Sequence, residues 1–310
     1  MKVIQNFSSN KHIVTLPILD ILIWAAGLLR LRKLGHTIKL YCKDSDIDFL
    51  KEWKLYDLYD EIDTNFLNNY ISPINDTNFW SVRKLACIEH EFKINSEQFI
   101  YIDTDIILNI PLQIPGDLLV WSPEPDLGVY LDWDHYSLPS NYILPQWLLT
   151  TKDAYNCGVL GFKTYELFKQ YLNEYYSFTI NNKCKLSSVL EETFLPTEKR
   201  AIWACTAEQR ILKALADYKN WDVAAININN HECISESGIH YYILRNNWRV
   251  LRDNKAMLTE DQQKFFKNQL NITLQFILSI LPEEIRNYYI TKNNYLQNFW
   301  ELGTPIDTYF

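Results

Sequence analysis

Apolar and polar positions fall into alternating short and long blocks from the start of the chain. Residues 3–7 form an apolar run of strand length. Residues 17–34 are long enough for a helix, with Pro17 near the first turn and Gly35 just past the last. Residues 37–42 (TIKLYC) then read as a strand, 79–92 as a helix and 99–102 as a strand. Strands alternating with helices predict a Rossmann-type α/β fold, a mostly parallel sheet flanked by helices on both faces.

Beyond Pro111 the alternation loosens. Residues 118–121, 128–131, 156–162 and 222–228 read as strands, and 164–176 and 207–216 as helices. Pro123, Pro125, Pro139 and Pro145 mark loops in this stretch that could carry acceptor contacts. From Thr259 onward the chain reads as helical, with Thr259 capping the segment ahead of Asp261 and Gln262. No internal repeat or linker interrupts the pattern. The expectation is one domain over residues 1–250 and a C-terminal helical extension over 251–310. Its rings at Phe265, Phe266 and Phe276 are expected to pack on that domain.

Composition narrows the class. Apolar residues make up 47% of the 310, enough for a sizeable core. The most apolar segment, residues 16–31, is interrupted by Pro17, Asp20 and Arg30, so it predicts a buried helix and not a membrane span. MKVIQNF runs directly into the first strand, and no leader is expected. The six cysteines are scattered, with no CxxC or CxxH spacing, which predicts reduced thiols in a cytoplasmic protein. A net charge of −8 argues against a nucleic-acid partner but leaves room for a small anionic substrate, because one bound cation reverses the local field.

The most informative stretch is FIYIDTDIIL, residues 99–108. On an extended strand, alternate side chains point the same way, so Asp103 and Asp105 are expected to converge on one Mg²⁺ or Mn²⁺. Ligands in open parallel sheets bind beyond the carboxyl ends of strands, where this pair stands. The same spacing recurs at Asp44–Asp46, Asp46–Asp48 and Asp132–Asp134. The first two lie in KDSDID, which reads as a solvated turn opening a helix. The third, followed by His135, is the real competitor and is read as part of an acceptor loop.

These residues resemble the GT-A-fold glycosyltransferases, especially the retaining glycogenin and galactosyltransferase types. There, a Lys-bearing helix precedes the metal-binding Asp-x-Asp strand. Here FWSVRKLAC (79–87) carries Lys84, which matches that Lys, and YIDTDIIL follows. YNCGVLG (155–161) resembles the family's Asn-Ala-Gly strand, AEQRIL (207–212) its Asp-Gln segment, and GIHY (238–241) the stretch whose His completes the metal shell. The likeness covers about residues 1–250 and extends to an uncharacterised bacterial family with the same series. Two departures stand out: Glu208 replaces the usual Asp, and the Lys-Pro-Trp that follows the metal His is missing, with Arg245, Arg249 or Arg252 as substitutes.

The resemblance implies a GT-A-like, hexosyltransferase-like enzyme, peripheral to a membrane if its acceptor is lipid-linked. It would transfer a sugar from a nucleoside-diphosphate sugar to a glycan or lipid-linked acceptor with retention. Lys84, Asn156, Glu208 and Gln209 would act at the reacting centre. Phe7, Lys84, Asp103, Thr104 and Asp105 would bind the donor, and Asp103, Asp105 and His240 would hold the metal. Several of these have a competing reading: a snorkelling surface position for Lys84, a turn residue for Asn156, an anion at a helix N-terminus for Glu208, and a hydrogen-bonded core residue for His240, with His231 and His135 as alternative ligands. An inverting enzyme would need a carboxylate base, which Glu124, Asp126 or Asp134 could supply. Two other classes stay open: a haloacid-dehalogenase-like phosphatase, disfavoured by Ile106-Ile107 after the second Asp, and a non-catalytic nucleotide-sugar or glycan-binding protein.

Overall fold

The computed structural model describes residues 1–7, 18–74, 79, 81–125, 130–138, 140, 142–150, 152–180, 185–187, 192, 196–227, 234–235, 237–240, 259–293 and 296. In chain order these form β1 (Lys2–Asn6), α1 (Ile18–Lys33), β2 (Thr37–Tyr41), α2 (Ile47–Glu52), β3 (Glu61–Asp63), α3 (Asn65–Asn69), α4 (Ser81–Ile94), β4 (Phe99–Ile102) and β5 (Ile106–Leu108). There follow β6 (Leu118–Glu124), β7 (Ala154–Phe162), α5 (Tyr165–Thr179), α6 (Pro196–Cys205), α7 (Ile211–Lys219), β8 (Val223–Ala225), β9 (Ile234–Ser235), β10 (Gly238–His240), α8 (Glu260–Ile280) and α9 (Glu283–Lys292).

The main sheet has the order β3-β2-β1-β4-β7-β6-β8. β1 pairs in parallel with β2 and β4, β2 with β3, and β6 with β8, while β7 runs antiparallel to both its neighbours. Six strands therefore share one direction, and the fold is the Rossmann-like α/β sheet the alternation predicts. The chain steps from β1 to one side and returns to the other at β4, so the crevice between their carboxyl ends is the topological switch point.

Period-2 side chains divide the core between two faces. Val3, Ile38, Leu40, Ile100, Ile102, Leu119 and Trp121 pack with α1, α8 and α9. Ile4, Tyr41, Phe99, Tyr101, Leu118 and Val120 pack with α4, α5 and α7. Helix α1 is buried almost all round because α8 covers the side turned away from the sheet. This explains an apolar run without an amphipathic period. Gly27 lets α1 reach β5, since a Cβ there would sit 2.5 Å from the Ile106 carbonyl oxygen.

Helices α8 and α9 pack through Leu270, Leu274, Ile277, Tyr289 and Ile290 into the same core as α1. Tyr289 donates to the Trp53 carbonyl at 2.6 Å. Phe276 packs against this core, while Phe265 is exposed and the Phe266 side chain lies outside the described residues. Among the described residues no helix is long and apolar enough to cross a membrane.

Several expectations change. Tyr130 and Leu131 are not in a strand, and residues 128–129 lie outside the described residues. The single helix expected at 207–216 is the end of a longer element: α6, a π-helical turn over Thr206–Arg210, then α7. Asp46 is buried, not solvated, because its carboxylate turns inward to accept the Lys43 N–H at 3.0 Å. Asp103, Thr104 and Asp105 are not extended. They form the turn by which the chain leaves β4 for β5, the first strand of a small second sheet ordered β5-β10-β9.

Candidate functional site

The site lies at the carboxyl ends of β1, β4 and β6 and the amino half of antiparallel β7. Lys84 reaches it from α4 and is buried, so the snorkelling position usual for a helical lysine does not apply. Its Nζ donates to Glu208 Oε1 at 2.7 Å, to the Cys157 carbonyl at 2.9 Å and to Asp103 Oδ2 at 3.2 Å, and lies over the Tyr101 ring at 4.9 Å. An ammonium has three N–H groups, and three acceptors use them. Burial alone would lower the Lys84 pKa; the Asp103 and Glu208 carboxylates outweigh it and hold the amine above its ordinary value.

Glu208 arrives on the π-helical turn, an irregularity that re-aims side chains and recurs at functional sites. In that turn Thr206, Ala207, Glu208 and Arg210 are buried, and Gln209 is the partly exposed member. The turn is tied down from several directions. Tyr171 donates to the Glu208 carbonyl at 2.8 Å, and Arg210 donates to the Leu131 carbonyl at 2.7 Å with its guanidinium over Trp133.

Asn156 and Gln209 join the site through two further groups. Asn156 Nδ2 donates to Glu124 Oε1 at 2.7 Å, and its Oδ1 accepts the Gly158 N–H at 3.0 Å. Tyr130 Oη stands 2.5 Å from Gln209 Oε1 and 3.2 Å from Glu124 Oε2. Burial, with the Glu124 charge beside it, pushes the Tyr130 phenol well up, so it keeps its proton. Burial likewise pushes up the Cys157 thiol, on which Glu208, Lys84, Glu124 and Asp103 all act, so it is inert as a nucleophile.

Across the switch point, the Phe7 ring lies 4.8 Å from Trp24 and 5.5 Å from Phe49, centroid to centroid. Gln5, buried at the end of β1, accepts from the Tyr59 hydroxyl at 2.7 Å and the Trp24 indole at 3.3 Å, and its amide nitrogen is 3.5 Å from the Asp103 carbonyl. The Asp103 N–H donates to the Gly158 carbonyl at 2.7 Å, so the turn that presents Asp103, Thr104 and Asp105 is anchored at its start. These three residues are half-buried.

β10 pairs with β5 so that His240 stands opposite Ile106, the residue after Asp105. Its side chain lies outside the described residues, as do Asp126, His231, Arg245, Arg249 and Arg252. The structure thus joins Lys84, Asp103 and Glu208 directly, links Asn156 to Gln209 through Glu124 and Tyr130, and sets Phe7 across the crevice. Sequence reasoning missed Tyr130 and Gln5, whose partners lie far away in the chain and leave no local signal.

A second acidic group lies nearby. Asp132, Asp134 and His135 bring ligand atoms within 4.8 Å of one another on the short turn Trp133–His135, a grouping that could hold a divalent metal. Both carboxylates are exposed, and Lys152 pairs with Asp132 at 2.6 Å; that hydrogen bond holds the Asp132 carboxyl below its ordinary range. The turn that carries this pair, expected as an acceptor loop, meets the π-helical turn through Trp133, whose ring lies under the Arg210 guanidinium.

A family model described as "Family of unknown function (DUF6734)" matches residues 1–251. Curated proteins give no match. Among solved structures, the apo form of mouse xyloside xylosyltransferase 1 matches at 11% identity with a TM-score of 0.39, over 73% of this chain and 85% of that one.

Proposed function

From a chain that belongs to the family of unknown function DUF6734, and whose matched span holds the whole site, we propose a metal-dependent glycosyltransferase. It would use a nucleoside-diphosphate sugar as donor and a glycan or lipid-linked acceptor. One observation carries the reading. A buried lysine, held at the switch point of a Rossmann-like sheet, is clamped between a turn carboxylate, Asp103, and a helical carboxylate, Glu208.

The donor set suits a hard divalent cation. Asp103 and Asp105 offer carboxylate oxygens, and the backbone brings His240 beside them. Bound there, Mg²⁺ or Mn²⁺ would neutralise the donor's diphosphate and assist its departure.

The chain's own residues divide the remaining work. The turn from Asp103 to Asp105 meets the diphosphate, and Phe7 and the end of β1 offer the apolar side on which a nucleotide base can rest. Lys84 supplies a fixed positive charge. Of its partners Asp103 is the partly exposed one, and a donor phosphate can share the ammonium from that side. Glu208, almost wholly buried, keeps the ammonium in place. Asn156 and Gln209 face the transferred sugar with polar groups already oriented by Glu124 and Tyr130. Retention of configuration is part of the proposal, by resemblance to the retaining families.

The test is thermal stability against nucleoside diphosphates and nucleotide-sugars, with and without Mn²⁺, in wild type, Asp105→Ala and Asp134→Ala. A ligand at 100 times its dissociation constant should stabilise by about 2.7 kcal/mol. The expected result is a Mn²⁺-dependent shift with one nucleotide that Asp105→Ala abolishes and Asp134→Ala keeps. Loss in Asp134→Ala alone would move the metal to the turn at Trp133–His135. No shift with any nucleotide would end the transferase reading.

A further inference from the structure

A glutamine side chain offers two chemically opposite ends, and which one meets a substrate decides what it can do. The carbonyl oxygen can lend electron density to a carbon becoming positive. The NH₂ group can only donate hydrogen bonds. In this molecule that choice is made by a neighbour outside the chain segment that carries Gln209.

Tyr130 is buried and keeps its proton, so it is a donor at any working pH. Its Oη stands 2.5 Å from Gln209 Oε1, a length suited to O–H···O, and 3.2 Å from Glu124 Oε2. A phenol has one proton, and the shorter contact takes the larger share of it. Glu124 receives its firm bond elsewhere, from Asn156 Nδ2 at 2.7 Å. The carbonyl end of Gln209 is therefore held by Tyr130, and the amide nitrogen is the end turned away from it. Gln209 is also the partly exposed member of a turn whose other residues are buried, so it is the one able to meet a ligand.

We propose that Tyr130 is a positioning residue that holds the Gln209 amide with its NH₂ group toward the cleft, making Gln209 a hydrogen-bond donor to a hydroxyl of the transferred sugar. Glu124, held by Asn156 at 2.7 Å, competes only through the longer 3.2 Å contact for the same phenol proton. The inference rests on the glycosyltransferase reading for the word sugar. The orientation of the amide rests on the hydrogen bonds alone.

Two measurements separate those parts. In protein labelled with ¹⁵N-glutamine, the Gln209 side-chain amide is assigned by its disappearance in Gln209→Glu and followed in Tyr130→Phe. The orientation predicts that the Gln209 signal shifts in Tyr130→Phe and that its two amide protons, inequivalent and slowly exchanged in wild type, exchange faster there. An amide unmoved by Tyr130→Phe overturns the proposal whether or not any nucleotide binds.

The second measurement is release of nucleoside diphosphate from the nucleotide-sugar that stabilises the wild type with Mn²⁺. Gln209→Glu removes the N–H donor and puts an acceptor in its place. It is expected to lower kcat/KM by at least about tenfold while leaving affinity for the free nucleoside diphosphate unchanged. Tyr130→Phe is expected to show a smaller loss, and none when introduced into Gln209→Glu, because a carboxylate has no orientation to lose. Turnover by Gln209→Glu equal to or above wild type would overturn the donor role, since that is what an electron-pair role predicts. A wild type that binds no nucleoside diphosphate overturns the transferase reading and the sugar contact with it, while the amide signal still decides the role of Tyr130.

Discussion

Replacing Lys84 with methionine removes the charge at the centre of the site while nearly keeping its volume. In the wild type the ammonium is buried and bonded to Glu208 at 2.7 Å, the Cys157 carbonyl at 2.9 Å and Asp103 at 3.2 Å. Asp103 is a third exposed and can recover hydration, so its loss counts for little. Glu208 cannot, because its side chain is 3% exposed and the π-helical turn fixes it. Breaking a buried pair by deleting one partner typically costs about 3–5 kcal/mol, because the other charge is stranded. We expect Lys84→Met to lose about that much in urea denaturation at pH 7.

The sign with pH follows from the stranded carboxyl. In the variant Glu208 is desolvated without a counter-charge, so folding favours its protonated form. The deficit should then shrink already as the pH is lowered toward about 5, because the variant itself gains stability there, above the range in which an ordinary salt-bridge carboxylate takes up its proton. Adding Glu208→Gln to Lys84→Met removes the stranded charge and should recover most of the loss at pH 7. A variant within about 0.5 kcal/mol of wild type, or a deficit independent of pH and of Glu208→Gln, would refute the buried-pair reasoning.

Two further outcomes follow from packing and charge. Gly27→Ala should destabilise although helix propensity alone favours alanine by about 1 kcal/mol. The new Cβ would lie 2.5 Å from the Ile106 carbonyl oxygen, and a more stable variant in thermal unfolding would show that α1 does not approach β5 so closely. Burial alone would raise the Glu91 carboxyl, but hydrogen bonds from Lys2 and Tyr41 and the Lys39 charge outweigh it and hold it below its usual range. Stability from Glu91 is thus present above about pH 4.3 and lost as the pH falls through the lower folded value. Glu91→Gln should cost about 3 kcal/mol at pH 7 and flatten the acid limb of the stability profile; an unchanged limb would remove Glu91 from the account.

How much of this was legible without the structure depends on how local each signal is. The strands at β1, β2 and β4 and the helices α1 and α4 carry their own periodicity and end signals, so residues 3–42 and 79–102 could be read as a Rossmann-type unit. Thr259, which caps α8, is recognisable for the same reason, while Thr164, expected as the first helical residue, is the cap of α5. The π-helical turn could not, because nothing in TAEQR distinguishes it from an α-helix. Its shape comes with burial against Tyr171 and the loop at Leu131.

The residue types at the site were determined by the sequence: an acidic pair after an apolar strand, a lysine in an apolar helix, and an Asn-x-Gly and a Glu-Gln farther on. Their mutual arrangement was decided by the tertiary structure. Lys84 and Glu208 are 124 positions apart, and Tyr130 and Gln209 are 79 apart. Only the return of the chain across the sheet brings such partners within bonding distance. Asp103 and Asp105 sit on a turn and not on a strand, because β5 leaves the main sheet to pair with β10, a partner more than a hundred residues downstream. Local pattern specifies which face a residue occupies. Which distant group it meets there is set by the order of strands, which is a property of the whole fold.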